Sequence, residues 1–237
     1  DDGGYYTVKL VGTSSDGTTG EATINIAVAV TPYVLLTGGP TAVNGKTWKL
    51  TANHTTNDKF VNADATLTLA DENLPSLPPG VFGMYLGLGE VYEDEFTFYF
   101  DGKYSHDVKS DKASLSGIVY QFMTTGGAGI VKMGPEEYGL CTGRYTPQTD
   151  ATFSYVEKED FTIPSVYGPP TFTVTYNDVS TLNFSGTEFV GFMDSQRKVI
   201  IQAISDKSMR LVMFMAASPE YYPLNTHALI LTFEVVQ

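Results

Sequence analysis

Glu90-Val91-Tyr92-Glu93-Asp94-Glu95 gathers four carboxylates immediately ahead of the alternating run Phe96-Thr97-Phe98-Tyr99-Phe100. Paired carboxylates can hydrolyse glycosidic bonds, one as acid and one as nucleophile, when held about 5–5.5 Å apart in a retaining enzyme. In extended chain Glu93 and Glu95 fall on one face. The row then runs out, with Val91 two residues before Glu93 and Thr97 and Tyr99 beyond Glu95. The run therefore reads as a solvated strand entrance, with Glu93 kept as a candidate ligand contact.

Aromatic residues offer a second chemistry. Sugar rings stack their C–H faces on Tyr or Trp, while their hydroxyls need amides or carboxylates nearby. Tyr221-Tyr222 lies between Pro219 and Pro223, with Glu220 and Asn225 beside it. Tyr167 precedes Gly168-Pro169-Pro170, and of the tyrosines around the glycine-rich loop Tyr85 lies within Gly83–Gly89 and Tyr92 just after it. Trp48, the only tryptophan, belongs with the candidates by type, although its place between Thr47 and Lys49 in a strand suits a core residue.

Other chemistries find little purchase. Oxygen-rich stretches at Asp58–Asp64, Glu93-Asp94 and Asp107–Asp111 could ligate calcium but lack loop spacing for it, so calcium stays open and no other cofactor is expected. His54, His106 and His227 have no paired ligand spacing and read as polar strand or loop positions. The lone Cys141 reads as a buried thiol. No Gly-x-Ser-x-Gly elbow occurs, and Gly83, Gly87 and Gly89 match neither a phosphate loop nor a dinucleotide fingerprint.

The elements that must position these residues are strands. In 237 residues, 42% are hydrophobic and 13% aromatic, enough for a sizeable core. A net charge of −13 with only 14 basic residues speaks against a nucleic-acid partner. Phe96, Phe98 and Phe100 point to one face of a strand and so toward the core, and Asp101-Gly102 suggests a two-residue type I′ turn. Alternation over 4–30 predicts two strands, Val34–Leu36 a short one, and Thr47–Leu50 another. Thr51–Asp64 reads as a polar connection to a strand at Leu67–Leu69, and residues 71–92 as an irregular insertion. Ala113–Phe122 suits a helix or a loop leading into a strand. Strands are expected at 151–156 and 171–176, and a closing meander at 182–186, 190–193, 199–204, 209–214 and 229–236.

Residues 4–28 carry a resemblance. Gly4-Tyr5-Tyr6-Thr7-Val8-Lys9-Leu10, a Gly-containing turn and Ala22-Thr23-Ile24-Asn25-Ile26-Ala27-Val28 resemble the last two strands of a PKD-type (polycystic-kidney-disease, immunoglobulin-like) module, whose upstream strands and Trp-Asp-Phe-Gly-Asp-Gly motif are absent. From about residue 34 on, the turn-flanked Trp strand, the acidic entry into Asp94–Phe98, the Gly-Lys-Tyr return and the final Leu-Ile-Leu-Thr-Phe strand are similar in style to surface lipoproteins of Bacteroidota. That likeness implies an outer-membrane, polysaccharide-utilisation protein in which a PKD-type module precedes a lectin-like sandwich. It supplies no binding residues.

The expectation is thus an all-β chain. Residues 1–31 would end a truncated immunoglobulin-like module, and residues 32–237 would form a two-sheet sandwich of jelly-roll or concanavalin type. The expected task is non-catalytic, carbohydrate-binding work at the cell surface through Tyr221, Tyr222, Tyr167, Tyr85, Tyr92, Glu93 and Trp48. A monomer is expected, secreted and reaching the membrane only through a lipid anchor outside this chain. The alternatives are a structural or adhesive surface module, and a laminarinase-like glycoside hydrolase, whose Glu-hydrophobic-Asp-x-x-Glu pattern is absent.

Overall fold

A computed structural model of the chain describes residues 3–64 and 75–236. The strand expected at Leu67–Leu69 lies outside the described residues. The fold is all-β, with 46% strand and 11% helix. Strands β1 (Gly4–Thr13) and β2 (Thr19–Val28) pair antiparallel at the start. Val34–Leu36 then forms part of a helix, α1 (Pro32–Thr37), rather than the strand its apolar run suggests. The helix ends explain this. Thr31 Oγ1 accepts from the Val34 N–H, Pro32 supplies a preset first turn, and Gly38 closes the helix at φ 82°.

Next come β3 (Lys46–Leu50) and β4 (Lys59–Asn62), the latter inside the stretch that reads as a polar connection. Helix α2 (Val81–Met84) and a 3₁₀ turn at Gly89–Tyr92 order the insertion before β5 (Glu95–Phe98) and β6 (Tyr104–Asp107). Ala113–Phe122 divides between β7 (Ala113–Gly117) and α3 (Ile118–Thr125). Strands β8 (Ile130–Met133) and β9 (Leu140–Arg144) complete a three-stranded sheet with β7. The chain closes with β10 (Phe153–Pro164), β11 (Thr173–Phe184), β12 (Val199–Ile204), β13 (Ser208–Met215) and β14 (His227–Val235). Val190–Met193 is not a strand; Met193 makes one isolated bridge to Ser116.

One nine-stranded sheet runs β10-β11-β12-β13-β14-β3-β5-β6, with β4 also on β14. It curls until its ends meet, since the Phe153 N–H donates to Gly102 O (3.0 Å) and the Tyr104 N–H to Ala151 O (2.9 Å). Trp48, Phe96, Phe98, Tyr104, Phe153, Phe184 and Phe233 fill the space so enclosed. The Phe row reads correctly for Phe96 and Phe98, whereas Phe100 leaves it at the turn, half-buried. That turn is not type I′. Only Gly102 has positive φ (87°), and the bonds Gly102 N–H to Tyr99 O and Tyr99 N–H to Lys103 O (both 3.0 Å) mark a three-residue loop with a glycine bulge.

The β1–β2 hairpin stands apart from this core. Tyr6, Val8 and Leu10 lie opposite Ile26, Ile24 and Ala22 and make one apolar face. The other face is mixed: Thr7 is bonded to Asn25 (2.9 Å) and Lys9 paired to Glu21 (2.7 Å), alongside Tyr5, Val11 and Ala27. Leu10 is 63% and Ile24 55% exposed, so the rest of the described chain does not cover the apolar face. Leu10→Lys and Ile24→Lys should therefore change the stability of the main body by less than about 0.5 kcal/mol. Phe98→Ala should cost about 3–5 kcal/mol. Urea unfolding followed by the fluorescence of the buried Trp48 distinguishes the two cases.

Candidate functional site

The long β10–β11 hairpin does not stay straight. Between the pairs Val156↔Thr181 and Glu159↔Val179 the extra residue lies on β10, and between Glu159↔Val179 and Phe161↔Tyr176 it lies on β11. Asp178 takes a left-handed φ of 56° at the second bulge, and its N–H is held by Asp160 Oδ1 (3.2 Å). Bulges bend and twist a strand pair. The near half of the hairpin (Phe153, Leu182, Phe184) joins the main core, while the far half (Phe161, Ile163, Val174, Tyr176) packs on Val212, Phe214 and Ile230, the opposite face of the sheet.

The bend carries the loop at 165–172 to the loop that precedes β14. Asn225, almost fully buried, stitches the two together. Its N–H and Nδ2 both donate to Pro164 O (3.1 and 2.8 Å), and its carbonyl accepts from the Val166 N–H (3.2 Å). Ser165, also buried, donates through Oγ to Ala63 O (2.7 Å) and receives the Tyr167 N–H (3.2 Å). Gly168 is obligatory here, because a Cβ would lie 2.0 Å from Thr173 O. Tyr167, Phe172 and Tyr221 project from this double loop, 42%, 46% and 48% exposed. Glu220, next to Tyr221 in the chain, is exposed. The loops that carry Tyr167 and Tyr221 are thus joined through Val166 and Asn225, although 53 residues lie between the two tyrosines in the sequence. Asn225 is scaffold there, not a free ligand contact.

Tyr222 is half-buried. Burial raises its phenol pKa, and Asp194 and Tyr120 nearby add to the rise. Arg197 donates to the Tyr120 hydroxyl (2.7 Å) and lies over the Phe189 ring. Asp194 is fully buried, with Oδ1 accepting from the Ser195 N–H (2.7 Å) and Oγ (3.1 Å), and burial pushes its carboxyl up to about 7.

The remaining sequence candidates do not join this end. Trp48 is fully buried and donates Nε1–H to Leu36 O (2.9 Å), so it cannot stack on a ligand. Tyr92 spends its hydroxyl inside, accepting from the Phe82 N–H (3.2 Å) and bonding His54 Nε2 (2.8 Å). His54 Nδ1 in turn meets Asp58 Oδ2 (2.8 Å). Burial opposes ionisation of Asp58, but hydrogen bonds from His54, Thr232 and Thr55 outweigh it and hold the carboxyl below its usual pKa. This buried relay, which the histidine spacing hid, clips the 81–92 insertion to β14. Tyr85 sits elsewhere, on an apolar pocket with Tyr138.

The acidic run disperses. Glu93 follows a 3₁₀ turn instead of lying in a strand, so it shares no strand face with Glu95. Glu90 pairs with Lys132 (2.9 Å), Glu95 with Lys109 (2.8 Å), and Glu93 is exposed. Asp94 is buried and accepts from Ser114 Oγ (2.5 Å); burial pushes its carboxyl up to about 8, with Asp111 and Asp107 adding to the rise. Of the calcium stretches, Asp58 is committed to the relay and Asp107 to Lys109, and no metal-ligand grouping of three or more His, Cys, Asp or Glu occurs among the described residues. Cys141 is buried, its thiol pushed up to about 12 by burial. His106, on β6 as a strand position, is also buried, against Phe96, Tyr145 and Phe189. No protein-family model matches the chain, and no curated protein sequence matches it.

Two outcomes follow. Asn225→Ala should cost about 1–2 kcal/mol and speed hydrogen exchange at the Val166 amide, read by mass spectrometry. Asp94 and Asp194 hold protons in the folded state that an unfolded Asp, titrating near 4, has released. The stability they contribute is full below about pH 4 and is lost as pH rises through about 7 and 8. The melting temperature of Asp94→Asn should therefore gain on the native chain progressively from pH 5 to pH 9.

Proposed function

We propose that this chain is a non-catalytic, carbohydrate-binding surface module whose site is the double loop carrying Tyr167, Phe172 and Tyr221. The observation that supports the reading is the pinning of both loops by buried Asn225 and Ser165, with aromatic rings left exposed on them. Stacking on rings carried by loops that are already held in place spares a sugar the cost of ordering those loops. Glu220 supplies a carboxylate for sugar hydroxyls. The ligand class is an oligo- or polysaccharide, and the setting is a secreted, outer-membrane lipoprotein of the Bacteroidota type, anchored through a segment outside this chain. In the same reading residues 1–31 are the closing strands of an immunoglobulin-like layer, which fits the apolar face of Tyr6, Val8, Leu10, Ile24 and Ile26.

A second reading, a structural or adhesive module, draws on the uncovered apolar face of the β1–β2 hairpin. Glycoside hydrolysis lacks a facing carboxylate pair at the acidic run, where Glu90 and Glu95 are each held by a lysine and Asp94 is buried.

A glycan-array screen of the whole chain tests the proposal. Saturable binding that weakens about 2–12-fold for each of Tyr167→Ala and Tyr221→Ala is expected, the scale of one aromatic contact. A chelator arm reports any calcium requirement. Silence across plant, host and microbial polysaccharides would transfer weight to the adhesive reading.

A further inference from the structure

The 81–92 insertion builds a pocket that the glycan reading does not use. Its cavity measures about 230 Å³, and its walls include Phe60, Leu77, Val81, Phe82, Tyr85 and Tyr138. These residues come from three separate segments, and Leu229 adds a fourth. Phe60 is fixed by strand pairing with Leu229, which also lines the cavity. Phe82 is fixed from behind, because its N–H donates to the Tyr92 hydroxyl at the end of the Asp58–His54 relay. Gly83 backs on Gly89 so closely that a Cβ there would lie 3.3 Å from the Gly89 Cα, which lets the insertion double back. Tyr138 arrives from the 3₁₀ turn at Glu136–Tyr138. The walls are therefore set before any ligand arrives.

From this geometry we infer that the pocket binds an uncharged bicyclic aromatic group of about the size of indole or naphthol. Size comes first. An apolar cavity of about 150 Å³ stays dry and accepts benzene, so a cavity about half as large again suits two fused rings. Chemistry comes second: among the described residues no Lys, Arg, Asp, Glu or His lines the cavity, so a buried ligand charge would meet no counter-charge from them. Shape comes third. Four of the wall residues are Phe or Tyr, and flat rings meet flat rings through offset and edge contacts. Tyr85 and Tyr138 are 62% and 48% exposed, which leaves the pocket mouth wet enough for one polar atom on the ligand edge.

The test is titration calorimetry of the whole chain with 2-naphthol and with indole, set beside naphthalene-2-sulfonate. Saturable one-to-one binding of the neutral rings is expected, at least tenfold tighter than the sulfonate. Leu77→Trp, at the half-buried rim, should plug the cavity, and Tyr85→Asp should place a charge at its mouth. Each should weaken naphthol at least tenfold while far-UV circular dichroism stays native. If one variant misfolds, the other carries the result. Tyr221→Ala should leave naphthol binding unchanged, so loss of the glycan site and loss of this pocket are told apart. Unsaturable uptake of naphthol, equal binding of the sulfonate, or saturable binding unaltered in both pocket variants would overturn the inference.

Discussion

Burial of β13 and β14 on both faces is the constraint from which the rest of the structure follows. Leu211, Met213 and Met215 on β13, and Leu229, Leu231 and Phe233 on β14, face one core cluster. Val212 and Phe214, with Ala228 and Ile230, face the other. A strand pair apolar on both sides must be covered on both sides, or it exposes a large apolar surface to water. One cover is the inside of the curled sheet. The other is the far half of the β10–β11 hairpin, which reaches the back face because two bulges on opposite strands bend it.

Thr232 interrupts the apolar run on β14, and its place shows how polar groups are accommodated inside. Asp58 takes both its N–H (3.0 Å) and its Oγ1–H (2.5 Å), then His54, and through His54 the Tyr92 hydroxyl. A buried carboxylate is tolerable when its oxygens are filled with donors, and this one remains ionised. Asp94 and Asp194 solve the same problem the other way. With fewer donors they keep their protons near neutral pH. The three aspartates thus differ in charge state because of their surroundings and not because of their residue type.

The two candidate binding places share a support. Asn225 ties the tyrosine loops together just before β14, and Leu229 floors the aromatic pocket four residues later. Between them His227 stacks on Phe60, a wall of the pocket, at 4.8 Å with the rings nearly parallel (10°). Both places are preorganised by the same well-buried strand, and both present tyrosines to solvent. They differ in polarity. The tyrosine loop has Glu220 next to Tyr221 in the chain, while no carboxylate lines the pocket among the described residues.

Period-two alternation in the sequence by itself determined the strands of the hairpin, the Phe96–Phe98 core row and the last three strands, because side-chain direction in a strand follows from the local backbone alone. It also marked Tyr167 and Tyr221 as loop aromatics by their proline and glycine neighbours. End signals for α1 were legible too, in Thr31-Pro32 and Gly38, although the apolar run between them suggested a strand. Only the tertiary structure decided that Trp48 and Tyr92 face inward, that Glu93 and Glu95 part company, and that Asn225 and Ser165 are stitches. Those outcomes depend on partners far along the chain, such as Leu36 for Trp48 and Pro164 for Asn225. Local pattern carries no information about which distant backbone carbonyl a donor will meet, and the bulges that bring such partners together leave no periodic mark.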